Sequence, residues 1–151
     1  MMTPEQRAQF VAILDAAPDL TIATIRADGY PQATTVSFVN DGEKIYFGTW
    51  SKSQKAQNIA RCDKVSVTVD LPYSDWNAIK GLSLGGKARI VRDEQESARV
   101  GALMLKKFPQ LAQALSGVDN SEMAIIRIDA EIVSLLDYAK GFGHTELQRV
   151  A

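Results

Sequence analysis

Val65, Val67 and Val69 alternate with Ser66, Thr68 and Asp70, and no other feature of the chain constrains its fold as strongly. Successive strand side chains point to opposite faces, so this pattern describes a strand with one face in a core and one in water. Ile126, Ile128, Ala130 and Ile132 repeat the pattern within 122–137. Val36 and Phe38 do so within 32–39, against Thr35 and Ser37. Segments 20–26, 44–49 and 82–91 complete a set of six predicted strands. Ala27-Asp28-Gly29-Tyr30-Pro31 and Asn40-Asp41-Gly42 are tight-turn sequences, so the first three strands form an antiparallel meander. Gly85-Gly86 inside a strand predicts a bulge or a close backbone approach.

Three helices are expected around these strands. Thr3-Pro4-Glu5-Gln6 is a capping-box start for a helix reaching residue 17, with Phe10, Ile13 and Leu14 on one face. Ser53 caps a short helix over 54–61, and Asp93 caps one running to Lys107. Leu111 to Leu115 adds a further turn, and residues 138–151 are read as a glycine-rich tail. The expected fold is mostly β with peripheral α: a six-stranded antiparallel barrel with about three helices, in one domain over 1–151. Closure into a barrel removes the exposed edges that such a sheet otherwise leaves.

Composition narrows the chemistry. With 46% hydrophobic residues the 151-residue chain can bury a core, which argues against disorder. Seventeen basic against eighteen acidic residues leave a net charge of −1, which supports neither a nucleic-acid nor a polybasic membrane partner. A single cysteine, Cys62, and a single histidine, His144, argue against disulfides, Cys/His metal sites and two-histidine catalysis within one chain. No metal ligand set is expected. Neither a Gly-x-Ser-x-Gly elbow nor a His-Glu-x-x-His pair occurs, and Gly85-Gly86-Lys87 lacks the spacing of a phosphate loop. There is no secretory pattern at the N-terminus and no apolar run of ~20 residues, so a cytoplasmic location is expected. Any chemistry is expected to come from something the protein binds, and no catalytic side chain is named.

The most informative segment is Phe47 to Asn58. It sets hydroxyls at Thr49, Ser51 and Ser53 and ammonium groups at Lys52 and Lys55 where a strand ends and a helix begins. Free amides and the positive dipole end of a helix attract anions there, so the segment reads as a phosphate cradle. It reads equally as a serine-capped surface helix with solvated lysines. Trp50 is placed to wall or stack on an aromatic cofactor, or to anchor a core or interface. Thr34 and Thr35, on a neighbouring strand, can face the same groove.

Taken in order, Gly29-Tyr30-Pro31-Gln32-Ala33-Thr34-Thr35-Val36, Tyr46-Phe47-Gly48-Thr49, Ser53-Gln54-Lys55-Ala56-Gln57-Asn58-Ile59 and Lys64-Val65-Ser66-Val67 resemble the pyridoxamine 5'-phosphate oxidase-like proteins. These are the FMN-binding split barrels, and the resemblance runs from about residue 5 to 137. It implies a split β-barrel and a homodimer with FMN in grooves at the interface. By position, Ser53 and Lys55 match the family's phosphate step, Thr49 its strand-end hydroxyl, and Thr34 to Val36 the strand along the flavin ring. Trp50, Lys52, Gln54 and Asn58 complete the implied cofactor set. Gln54 stands where the family usually has arginine. The oxidase proper ends in an Arg-Leu-Ser/Thr-Pro-like segment, whereas Tyr138-Ala139-Lys140-Gly141-Phe142-Gly143-His144 stands here. The resemblance is therefore to the wider group.

Trp76, Lys140, Phe142 and His144 are candidates for lid or partner-chain residues, with His144 as a donor or axial ligand on a mobile tail. The leading functional expectation is an FMN-dependent oxidoreductase acting on a small molecule. The alternative is a non-catalytic carrier of flavin, haem or another tetrapyrrole, and a deazaflavin-dependent reductase is a third option.

Overall fold

The alternating segments assemble into a single antiparallel sheet. The computed structural model describes residues 1–151, with strands β1 (Asp19–Ile25), β2 (Pro31–Ser37), β3 (Val39–Asp41), β4 (Lys44–Trp50), β5 (Lys64–Asp70), β6 (Lys80–Ile90), β7 (Met123–Asp137) and β8 (Thr145–Arg149). Their order is β2-β1-β5-β6-β7-β4-β3, with β8 beside β7. The two end strands, β2 and β3, are consecutive in the chain and separated only by Phe38. A sheet whose two ends are halves of one segment must curl until they meet. Counted as one stave, β2–β3 joins β1, β5, β6, β7 and β4 to make the expected six.

Two strands depart from expectation. The strand expected over 32–39 breaks at Phe38, because its backbone bonds leave the sheet. The Phe38 N–H donates to the Pro18 carbonyl at 3.3 Å, and its own carbonyl accepts from the Lys107 ammonium at 2.9 Å. The Phe38 side chain turns into the core, and Lys107 Nζ lies 4.1 Å from its ring centroid. Burial of that ammonium pushes its pKa below the usual lysine range. The second departure is β8, a regular strand within residues read as a tail. Strand β4 stops pairing with β7 at Ile128, and β8 takes up the same edge from Ile132 to Leu136. Ahead of it, Tyr138–Lys140 forms a 3-10 turn.

The helices form where the caps predict them. These are α1 (Pro4–Ala16), α2 (Gln54–Arg61), α3 (Glu94–Lys107) and the short α4 (Gln110–Ala114). Thr3 and Gln6 make the reciprocal capping box. Ser53 Oγ accepts from the Ala56 amide, and Asp93 accepts from the Glu96 amide. Phe10, Ile13 and Leu14 of α1 enter a core cluster with Ile22, Phe38, Phe47, Val67, Leu84, Ile126 and Val133, so α1 packs against the barrel interior. Helix α3 packs on the opposite face of the sheet, where Val100 meets Val39, Tyr46 and Val91.

The glycine pair makes the expected bulge. The register between β6 and β7 shifts between Gly85 and Gly86. A Cβ on Gly86 would lie 2.4 Å from the Asp129 carbonyl oxygen, which is backbone and cannot swing aside. Gly86→Ala is therefore expected to cost about 1–3 kcal/mol, the usual penalty of overpacking, measured by denaturant unfolding. An unchanged midpoint would show that the two strands are not held this closely.

Candidate functional site

The break at Phe38 opens the barrel wall. Strand β3 pairs with β4 only through Lys44–Tyr46, so Phe47–Trp50 have a ladder partner on the β7 side alone. Strand β2 likewise pairs only with β1. Between these two free edges lies a groove of about 850 Å³. One wall is Val36, Ser37 and Phe38, and the other is Gly48 with Met123, Ala124 and Ile125. Helices α3 and α4 roof it with side chains such as Met104, Phe108 and Leu111. That volume falls within the range of small-molecule pockets.

The β4–α2 corner adjoins one end of the groove, because Gly48 lines it and Trp50 pairs with Met123. Thr49 Oγ donates to Ser53 Oγ at 2.9 Å, and the same Ser53 oxygen accepts from the Ala56 amide at 3.2 Å. The Ser53 hydroxyl proton is thus left to be donated elsewhere. The backbone amides of Gln54 and Lys55 donate to no acceptor in the chain, as expected in a first helical turn. Lys55 has no carboxylate within ion-pair distance, while Lys52 lies 3.7 Å from Glu122 with both side chains well exposed. Such an exposed pair is weak and leaves the Lys52 ammonium available. This corner therefore holds a hydroxyl, two amides and two ammonium groups without a strong internal acceptor. Donor sets of this kind at a helix start are suited to an anion.

The other expected site residues sort by face. Thr34 and Val36 lie beside Ile22 and Leu20 on the inner side of β2, half-buried. Thr35 points to the outer side, where its hydroxyl lies 3.1 Å from that of Thr21. Trp50 is 47% exposed at the end of β4 and so is available to a ligand or a partner surface. Asn58 is fully buried, and its amide group donates to Thr24 Oγ1 at 3.0 Å and Gln32 Oε1 at 3.3 Å. Gln54 donates to Asn58 Oδ1 at 2.8 Å. Asn58 thus pins α2 to β1 and β2, with Gln54 holding the Asn58 side chain from within the helix. Thr24 and Gln32 were missed by sequence reasoning. A polar residue at an inward position after Leu20 and Ile22 was the available signal. The contribution of α3 and α4 to the groove was also missed, although Gly101 in a helix interior pointed to it.

Trp76, Lys140, Phe142 and His144 gather away from the α2 corner. The Phe142 ring stacks on Trp76 at 5.8 Å and meets Tyr138 edge-on at 5.5 Å. His144 was expected on a mobile tail; instead it is tied down. Its Nε2 lies 3.0 Å from Glu146 Oε1, which also accepts from Lys140 Nζ at 3.4 Å, while Gln6 of α1 donates to the other carboxylate oxygen at 2.9 Å. These donors pull the Glu146 pKa from 4.5 to about 2, led by the Gln6 bond.

The fold and this corner together define a split-barrel protein with an anion-receptive helix start beside a ligand-sized groove. The chain belongs to the pyridoxamine 5'-phosphate oxidase family, whose model matches residues 6–137. No curated protein matches it significantly. Among solved structures, a putative pyridoxamine 5'-phosphate oxidase from Listeria innocua is similar, at 22% identity and a TM-score of 0.70, over 87% of this chain and 98% of that one. A conserved hypothetical protein from Mycobacterium tuberculosis is 27% identical with a TM-score of 0.76, over 99% and 94% of the two chains. The haem storage protein HutZ from Vibrio cholerae is 22% identical with a TM-score of 0.67, over 80% and 86%. No helix is long and apolar enough to cross a membrane.

The Glu146 clamp gives a pH dependence with a defined sign. A depressed carboxylate pKa contributes stability that is complete above its unfolded value near 4.5 and is lost as pH falls towards 2. Carbon-detected NMR titration is expected to place the Glu146 midpoint near 2, with amide protection in β8 fading over the same window. A midpoint near 4.5 would mean the clamp does not hold the strand.

Proposed function

We propose that this protein binds FMN at the split and acts as an oxidoreductase on a small molecule, working as a homodimer. The observation that carries the reading is the set of unengaged donors at the β4–α2 corner, set at the mouth of a groove of ligand size. The residues there fit a terminal phosphate. Ser53, Lys55, Lys52 and the amides of Gln54 and Lys55 would hold it, with Thr49 orienting the Ser53 hydroxyl. Thr34 and Val36 would border the ring, and Trp50 would wall it. When bound, the flavin supplies the electron or hydride transfer, and the protein supplies binding and orientation.

Positive charge in this corner comes from Lys55, which has no carboxylate partner, and from Lys52, which is weakly paired with Glu122. Gln54 brings none, and its side chain is engaged with Asn58. Removing Lys55 should therefore be felt directly. Lys55→Ala is expected to weaken FMN binding by about 1–3 kcal/mol, the scale of a hydrogen bond to a charged group, read by quenching of flavin fluorescence. The homodimer rests on the exposed aromatics Trp50, Trp76 and Phe142, which a partner surface would cover.

A second reading is a haem carrier without turnover. It is favoured by similar structures that include the haem storage protein HutZ and a heme binding protein from Mycobacterium smegmatis, of which this chain spans 59%. His144 is the one imidazole available as an axial ligand, and it would have to leave Glu146. Purified protein that is yellow, with the Lys55→Ala loss, supports the flavin reading. Failure to bind added FMN, with a Soret band on adding haem that His144→Ala removes, would replace it with the carrier.

A further inference from the structure

The groove at the split carries information about its occupant beyond its size. Its walls and roof contain no Asp, Glu, Lys, Arg or His. Its polar groups are few, chiefly Ser37, Gln110 and Asn120. The nearest ammonium, Lys107 behind Phe38 and Phe108, is already engaged by the Ala17 and Phe38 carbonyls, so a charged group buried in the groove would meet no free partner, and burying an unpaired charge is strongly unfavourable. The charged donors of the site lie instead at the β4–α2 corner, outside this lining.

Gly101 adds to the space in the groove roof. It lies inside α3, where glycine is among the poorest helix residues. It has no positive φ, and a Cβ built on it meets nothing within 4 Å. Neither backbone geometry nor close packing requires glycine there. What the missing side chain leaves is volume in the groove roof.

From these observations we infer that the groove is the substrate subsite and takes an uncharged, largely apolar molecule, to the exclusion of phosphorylated or otherwise ionic ones. The inference rests on the flavin reading only for the word substrate; the binding selectivity is a property of the groove itself. An uncharged molecule seated against Val36 would lie beside the strand that borders the ring in that reading.

The experiment uses a matched pair of fluorescent probes on the full chain, with and without saturating FMN. N-phenyl-1-naphthylamine is neutral, and 8-anilinonaphthalene-1-sulfonate carries a sulfonate on the same ring system. The neutral probe is expected to bind at least tenfold more tightly. Gly101→Leu, which fills the roof from an open position, is expected to weaken the neutral probe at least tenfold while FMN affinity stays unchanged and the unfolding midpoint does not fall, since leucine is the better helix residue. Leu105→Lys, at a half-exposed place on the groove rim, is expected to reverse the preference between the probes. Equal binding of the two probes, or neutral-probe binding that neither variant alters, would overturn the inference. If FMN does not bind but the neutral probe behaves as described, the flavin reading fails and the groove's selectivity stands.

Discussion

One segment, residues 31–41, supplies both ends of the sheet, and the rest of the structure depends on how it does so. As β2 it pairs with β1, and as β3 it pairs with β4. Between the two, Phe38 gives its amide to Pro18 and its carbonyl to Lys107, so the ladder cannot pass through it. Buried backbone groups must find partners, and here they find them outside the sheet. The Lys107 ammonium reaches from the end of α3 to bond the Phe38 and Ala17 carbonyls. The same bond that terminates β2 therefore fixes the end of the helix that roofs the groove. Barrel closure, the split and the roof are consequences of one arrangement.

The scarcity of histidine and cysteine takes its meaning from that split. A chain without a metal cluster or a nucleophile–base pair can still bind and orient a molecule that carries its own reactivity. In the proposed reading, two neighbouring environments serve this. Ser53, Lys52, Lys55 and two free amides offer donors at the β4–α2 corner. The groove beside them offers apolar walls. The short polar chain from Gln54 through Asn58 to Thr24 and Gln32 keeps the corner in place by fixing α2 on the barrel.

Much of the fold was legible because its signals are local. Alternation found the staves, Asp-Gly steps found the turns, and Thr3, Ser53 and Asp93 marked the helix starts that the structure uses. The β2–β3 break was not legible, since it depends on Lys107, which is 69 residues away in sequence. Strand β8 was hidden for a related reason. It exists because β7 has a vacant edge past Ile128, and the glycines at 141 and 143 before it suggested only irregularity. The donors at the β4–α2 corner could be read from sequence, because caps and strand ends are local. The burial of Asn58 and the roof of the groove could not, because both are made by packing between distant elements.

An FMN phosphate is proposed to settle at the β4–α2 corner. Amide-resolved NMR of the full chain, titrated with FMN, addresses this residue by residue. The Gln54 and Lys55 amides are expected to show the largest downfield shifts, as they acquire the acceptor they lack, with smaller changes at Ser53 and along Thr34–Val36. Shifts centred instead on His144 and Glu146, with Gln54 and Lys55 unmoved, would contradict it.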